Sequence, residues 1–437
     1  MNDLFSVFST SSKEEWISIL EKELKGASID TLMKTNRVEE IAYPSFVHAS
    51  DQKLHHSDPG SFPFTRGYNQ SGNDWQIANT FLIGDLKATN VEICKALMTG
   101  TSHLILQAQT ENEIDFSTLL KTVSLPHIET TFCAKSIKQV ESFIQYANQA
   151  QVSISLENQE QLVQQLCSFV APNTKVFHVD ASSVQQAGAN TWQEIAFALA
   201  QGHEYLVLQL EAGIAAEQAV NSIHFTFGIG NKFYFELSKF RAFRTCWANI
   251  VNAYISNATL STQLTAKSSF MHTSLKDPYT NLLRQTTEAM SAVLGGVSSL
   301  NVMPYDWYST GSNLDFSRRM ATNISLLLKE ESYLNVVADP AGGSYALELL
   351  HEQIAERAWE LFKSLEASGG IQHEKAIAML KKQITDTANI RLEEVRDKRE
   401  KLIGITIFPN PIPNDNQWKA IPACWQDLKP LIIEQEL

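Results

Sequence analysis

From residue 75 onward the chain alternates short β-rich runs with helical patterns, and this alternation constrains the fold more than any other feature. The runs are QIANTFLI (76–83), HLILQA (103–108), IETTFCA (128–134), VSISLE (152–157), KVFHVDA (175–181), IHFTFGI (223–229), TQLTAKSSF (262–270) and LNVMPY (300–305). Helical stretches separate them, among them IKQVESFIQYANQ, TWQEIAFALAQGHEYLVLQL and NKFYFELSKFRAFRTCWANIVNAYI. Strict strand-then-helix order makes neighbouring strands parallel, and eight such units are what a closed barrel requires. An open doubly wound sheet is the competing arrangement, but no G-x-G-x-x-G follows the first run. The expected fold is α/β, a (β/α)8 TIM barrel over 75–345. An N-terminal helix and extended arm (1–74) precede it, and C-terminal helices with a proline-rich tail (346–437) follow.

The flanks have their own character. A helix is expected around Lys13–Lys25, and HASDQKLHHSDPGSFPFTRGYNQSGND, rich in Pro, Gly, Ser and Asn, reads as an extended arm. Residues 346–402 are strongly helical with a stop at Gly369-Gly370. The charged run RLEEVRDKREK reads as a solvated helix face with i,i+4 pairs. The three prolines of FPNPIPNDNQW cannot continue a helix.

A formal charge of −13 and a pI near 5.4 argue against nucleic-acid or anionic-membrane partners. Five separated cysteines without C-x-x-C spacing imply reduced thiols rather than a disulfide or zinc framework. The start MNDLFSVFSTSSKEEW lacks the basic and apolar regions of a secretory signal, and no run of about 18 apolar residues exists. A cytoplasmic location is expected.

Chemistry-bearing residues are sparse. Gly228-Ile229-Gly230-Asn231 and Ala341-Gly342-Gly343-Ser344 stand at turns into helices, where backbone N–H groups can hold phosphate, although such turns are ordinary in barrels. Asp180 and Ser183 lie at the C-terminal end of the fifth run, the face that carries barrel active sites, without a neighbouring His or Lys. His55-His56 and His178 have no metal-ligand spacing and read as structural. Lys267, inside the seventh run, fits a Schiff-base or anion-binding lysine, and equally an outward-facing or carboxylate-paired one. No assembled catalytic set emerges from the residues alone.

Several segments resemble the barrel half of the methylmalonyl-CoA mutases. PGSFPFTRG (59–67) matches the family's P-G-x-x-P-F-T-R-G arm, and QQAGAN (185–190) follows the fifth strand. FGIGNKFYFELSKFRAFRTCW (227–247) and DPYTNLLRQTTEAMSAVLGGVSSL (277–300) match two longer family patterns. Arg319, Asn323, EES (330–332) and ADPAGGSY (338–345) complete the order, from about residue 12 to 408.

Departures from the family pattern coincide with its functional positions. The tyrosine over the reacting acyl group is Thr80 here, and the carbonyl-binding histidine is Ser183. The two cofactor-facing glutamates become Gln186 and Trp307, and the CoA-phosphate arginine is Ser222. Two basic residues near Trp75 become Asn73 and Ala78, and the loop after T-R-G is three residues shorter. Nothing resembles the D-x-H-x-x-G of the cobalamin domain, and the chain ends about where that domain would begin.

CoA phosphates need compensating cations, and a serine hydroxyl is a weaker carbonyl partner than imidazole. The resemblance therefore implies a non-catalytic small subunit of a heterodimer. No cofactor would bind to this chain, and adenosylcobalamin would sit in a homologous large catalytic subunit. The holoenzyme, an isomerase of propionate metabolism, would interconvert methylmalonyl-CoA and succinyl-CoA. Alternatives are an independent cofactor-free barrel enzyme using Lys267 and Asp180, a transient regulatory or chaperone-like protein, or a small subunit of a related acyl-CoA mutase. The bulk of Trp307 predicts a throat filled by side chains. The arm, with Phe62, Phe64 and Arg66, is expected at the subunit interface.

Overall fold

The structure, a computed structural model, describes residues 12–51, 57–157, 159–259 and 261–437. Among them, nine parallel strand segments form one sheet. They occupy eight barrel positions: β1 (Gln76–Ile83), β2 (His103–Ala108), β3 (Glu129–Ala134), β4 (Val152–Leu156), β5 (Thr174–Lys175 with Phe177–Asp180), β6 (Ile223–Ile229), β7 (Leu264–Ser268) and β8 (Ser299–Asn301). β1 pairs with both β2 and β8, while the two halves of β5 pair with β4 and β6, so the sheet closes on itself. The expected barrel is present.

β5 is split because Val176 and Phe177 N–H both donate to the Ser222 carbonyl, at 2.9 and 3.1 Å. Two donors on one acceptor leave an extra residue in the ladder. β8 ends at Asn301, opposite Lys267 near the end of β7, and so is shorter than its sequence run.

Successive strand residues face opposite sides of the sheet. Leu104, Leu106, Phe132, Ile154, Phe177, Phe225, Phe227 and Leu300 are buried in the main apolar core, shared with residues of the surrounding helices. Thr80, Thr131, Ser155, His178, Thr226, Thr265, Lys267 and Asn301 line the inside. Most barrels fill this space with branched apolar side chains. Here it holds hydroxyls, imidazoles and a lysine.

The longer helices are α1 (Lys13–Glu23), α2 (Leu86–Met98), α3 (Ile137–Ala147), α4 (Thr191–Glu211), α5 (Phe233–Tyr254), α6 (Thr280–Leu294), α7 (Leu314–Leu326), α8 (Tyr345–Ala367) and α9 (Glu374–Arg396). Ser12 and Glu15 form a capping box on α1, as do Asn190 and Gln193 on α4. Gly369 and Gly370, at φ +103° and +86°, end α8 where the Gly-Gly stop is expected. None of the helices is long and apolar enough to cross a membrane among the described residues.

The flanks add structure that the sequence reading did not give. Between α1 and the arm, Lys34–Asn36 pairs antiparallel with Ile41–Tyr43. Between these strands, the buried Glu39 carboxylate accepts from Thr191 N and Oγ1 at the start of α4, at 3.0 and 2.6 Å. The charged run is no uniform solvated face. Arg391 is buried and donates to the carbonyls of Gly188 and Ala189, both at 2.9 Å. The helix stops at Arg396 and leaves the rest of the run outside it.

Candidate functional site

The face to read is the mouth at the C-terminal ends of the strands, where barrel enzymes place their chemistry. Two adjoining cavities of about 240 and 230 Å³ occupy the throat. Both are lined by Thr80, Gln107, Asp180 and Lys267. The throat is thus roofed but not filled, contrary to the expectation drawn from Trp307. Trp307 packs with Phe270, Met303, Tyr308, Trp418, Ile421 and Ile432, forming part of a lid. Beneath it the inward residues are small hydroxyl side chains that leave space.

The rest of the lid is the C-terminal segment. Ile421, Pro422, Ala423 and Cys424 line the upper cavity, and Lys419 N donates to Tyr308 O at 2.7 Å. Gln186 holds this segment: Leu431 N donates to its carbonyl at 2.8 Å, and its Nε2 donates to Leu431 O at 3.0 Å. Gln186 Oε1 accepts from Phe270 N at 2.8 Å. Sequence reasoning noted the prolines but missed this docking. The available signal was the apolar run Leu431-Ile432-Ile433, buried in the structure.

Thr80 Oγ1 accepts from Asn301 Nδ2 at 3.0 Å, and Ser183 Oγ donates to Asp180 O at 2.8 Å. Ser222 is elsewhere: it starts the approach to β6, is buried, and donates to Gln209 Oε1 at 2.7 Å. Asn73 is buried and donates to Val293 O, while Ala78 is buried within β1.

Three inward histidines, from β2, β5 and β6, were not gathered by sequence reasoning. His178 and His224 stack at 4.5 Å with 12° between planes. His178 meets Ser155 and Thr226 hydroxyls at 2.8 and 2.9 Å, His224 bonds Ile154 O at 2.8 Å, and His103 meets Ser299 and Thr131 at 2.7 and 2.9 Å. Burial lowers the basicity of all three. Neutral imidazoles bonded to hydroxyls are a packing solution for a polar interior. Burial also pushes the Cys133 and Cys424 thiols up, to about 11 and 12, which disfavours the thiolate a nucleophile needs.

In both glycine turns a backbone N–H is taken by a carboxylate of this chain. Gly228 N donates to Glu194 Oε1 at 2.7 Å, and the same carboxylate's Oε2 is 2.7 Å from the ammonium of Lys239. Lys239 is fully buried and also contacts Glu236 and Gly228 O. Gly343 N donates to Glu348 Oε1 at 3.1 Å, beside an ion cluster of Arg66, Arg241 and Asp339.

The PFTRG motif divides. Phe64 is buried in this chain's own core, and Arg244 donates to the carbonyls of Phe64 and Thr65 at 3.0 and 3.1 Å. Arg66 Nε bonds Asp339 at 3.0 Å. Phe62, by contrast, stays 47% exposed. His55 and His56 lie outside the described residues.

The family model described as methylmalonyl-CoA mutase matches residues 134–423. The chain belongs to this family. A methylmalonyl-CoA mutase small subunit of Porphyromonas gingivalis is 32% identical over 441 residues, covering 93% of this chain and 71% of that protein. A small subunit of Streptomyces virginiae is 26% identical, with 93% and 72% covered. A methylmalonyl-CoA mutase of Cereibacter sphaeroides is 28% identical, with 91% and 64% covered. The chain therefore spans 64% to 72% of these relatives' lengths. In this member of the methylmalonyl-CoA mutase family, the C-terminal segment lies across the mouth of the barrel.

Proposed function

We propose that this chain is the non-catalytic small subunit of a heterodimeric, adenosylcobalamin-dependent methylmalonyl-CoA mutase of the cytoplasm. The homologous large subunit carries the cofactor and interconverts methylmalonyl-CoA and succinyl-CoA. The observation that carries this reading is the pairing of Gln186 with Leu431, which covers the mouth where the family resemblance puts a cofactor-facing glutamate.

The residues present do not fit a corrinoid. The Gln186 carboxamide is committed to protein backbone, and Trp307 is packed under the tail. Ser222 is buried on Gln209 and offers no cation to a CoA phosphate. The three inward histidines and the buried Lys239 find their partners within the chain, as a scaffold requires.

The test is co-purification with the large subunit, followed by separate assays of each half. The isolated chain is expected to give no spectral change on titration with adenosylcobalamin and no turnover, and the pair to be active. Turnover by this chain alone would overturn the proposal. Assaying the pair on isobutyryl-CoA and ethylmalonyl-CoA separates a methylmalonyl-CoA mutase from a related acyl-CoA mutase.

A further inference from the structure

Two lysines of this barrel show what a structural and a ligand-seeking cation look like. Lys239 is fully buried and every contact around it is complementary: two carboxylates and a carbonyl. Lys267 is half-buried on the inner wall of β7, between the two throat cavities, with no hydrogen bond or ion pair to any described residue. Two carboxylates share the lower cavity with it: Asp180 bonds Ser182 N through Oδ1 at 3.1 Å and the Ser182 hydroxyl, and Glu157 pairs with Lys135. A half-buried ammonium that faces a cavity without a hydrogen-bonded counter-ion has donors left for an anionic ligand.

A second, independent observation lies around the same space. Asn301 Oδ1, on the lower cavity, and Gln185 Oε1 and Ser268 Oγ, on the upper one, are buried polar atoms without partners. Asn301, Gln185 and Ser268 are 2%, 4% and 3% exposed. Buried acceptors left open call for O–H or N–H donors, and the ammonium calls for an anion. The two adjoining cavities, of about 240 and 230 Å³, give room for a small metabolite. The lower cavity reaches the surface at the Lys135–Glu157 ion pair, whose side chains are 32% and 57% exposed.

We propose that the roofed throat is a binding site for a small hydroxycarboxylate, with its carboxylate on Lys267 and its hydroxyl on the Asn301 side of the cavity. Thr80 Oγ1 and Asn301 Nδ2, already bonded to each other at 3.0 Å, set the carboxamide so that its oxygen stays free to accept. The site takes part in no step of a mutase reaction, and it requires neither a cofactor nor a second subunit.

Isothermal titration of the full chain with lactate, glycerate and malate tests this, with glycerol and acetate as controls. At least one hydroxy acid is expected to bind, and Lys267→Met to weaken it by about tenfold or more, equivalent to about 1.4 kcal/mol. Lys267→Arg, which keeps the charge, is expected to retain part of the affinity. Asn301→Asp, which sets a second anion against the ligand, is expected to abolish binding while thermal unfolding reports a folded barrel. Binding unaffected by Lys267→Met, glycerol binding as tightly as glycerate, acetate matching every hydroxy acid, or no binding of any acid would each overturn the proposal.

Discussion

Gln186 and Leu431 are joined by two backbone-directed hydrogen bonds, of 2.8 and 3.0 Å, although 245 positions separate them. This pairing fastens the C-terminal segment over the barrel mouth. Gln186→Glu would restore the family's carboxylate but remove the Nε2 donor and set an anion against the Leu431 carbonyl. We expect a loss of about 1–3 kcal/mol in urea unfolding, faster proteolysis of the tail, and no gain of cobalamin binding. An unchanged unfolding midpoint would show that the tail is not held there.

Lys239 neutralises Glu194 and Glu236 in a fully buried cluster. Lys239→Met leaves two carboxylates without their cation, and a loss on the order of 3–5 kcal/mol is expected. Adding Glu194→Gln to that variant should recover part of the loss. Chemical denaturation of both variants gives the comparison, and equal stability of wild type and Lys239→Met contradicts the cluster.

Gly188 sits at φ +111°, and a Cβ there would stand 2.6 Å from the Cβ of Ala388 on α9. Backbone strain and overpacking of about 1–3 kcal/mol each act together in Gly188→Ala. Ala388→Gly should relieve part of the second contribution, because the Cα of residue 388 would still stand at 3.0 Å, and should leave the first. Thermal unfolding of the single and double variants separates them.

Burial pushes the His272 imidazole down to about 3, and its Nδ1 has no partner. The folded chain therefore keeps it neutral where an unfolded histidine titrates, near 6.5. Stability from this site is complete above that pH and is lost as pH falls from 6.5 toward 3. The stability difference between wild type and His272→Asn is expected to shrink by about 1.4 kcal/mol for each pH unit below 6.5. Parallel denaturation curves at pH 7.5, 6 and 5, chosen as about one step apart across this window, measure it. A constant difference contradicts the buried neutral state.

Phe62 and Phe64, two positions apart, are expected to respond differently. Phe64→Ser removes a ring from the core of this chain and should lower its own unfolding temperature, with a cost of about 3–5 kcal/mol for a truncated buried aromatic. Phe62→Ser, at an exposed ring, should leave stability within about 0.5 kcal/mol and weaken association with the large subunit. Gel filtration of mixed subunits measures the second effect, and undiminished assembly removes Phe62 from the interface.

The sequence by itself determined the strand-then-helix order, the barrel, the Gly-Gly stop and the capping of α1, because these rest on periodicity and neighbours within a few residues. The alternation in HLILQA and IHFTFGI already carried the inward positions of His103, Thr226 and their neighbours, and only their common destination was hidden. Tertiary structure alone decided which polar residues meet. Lys239 finds Glu194 across 45 positions, His178 finds Thr226 across 48, and Gln186 finds Leu431 across 245. The same holds for Lys267, whose type and strand were plain in sequence while its lack of a partner was not. Pairing of charges and coverage of a cavity depend on distance in space, and a closed barrel brings its strand ends together irrespective of their separation along the chain.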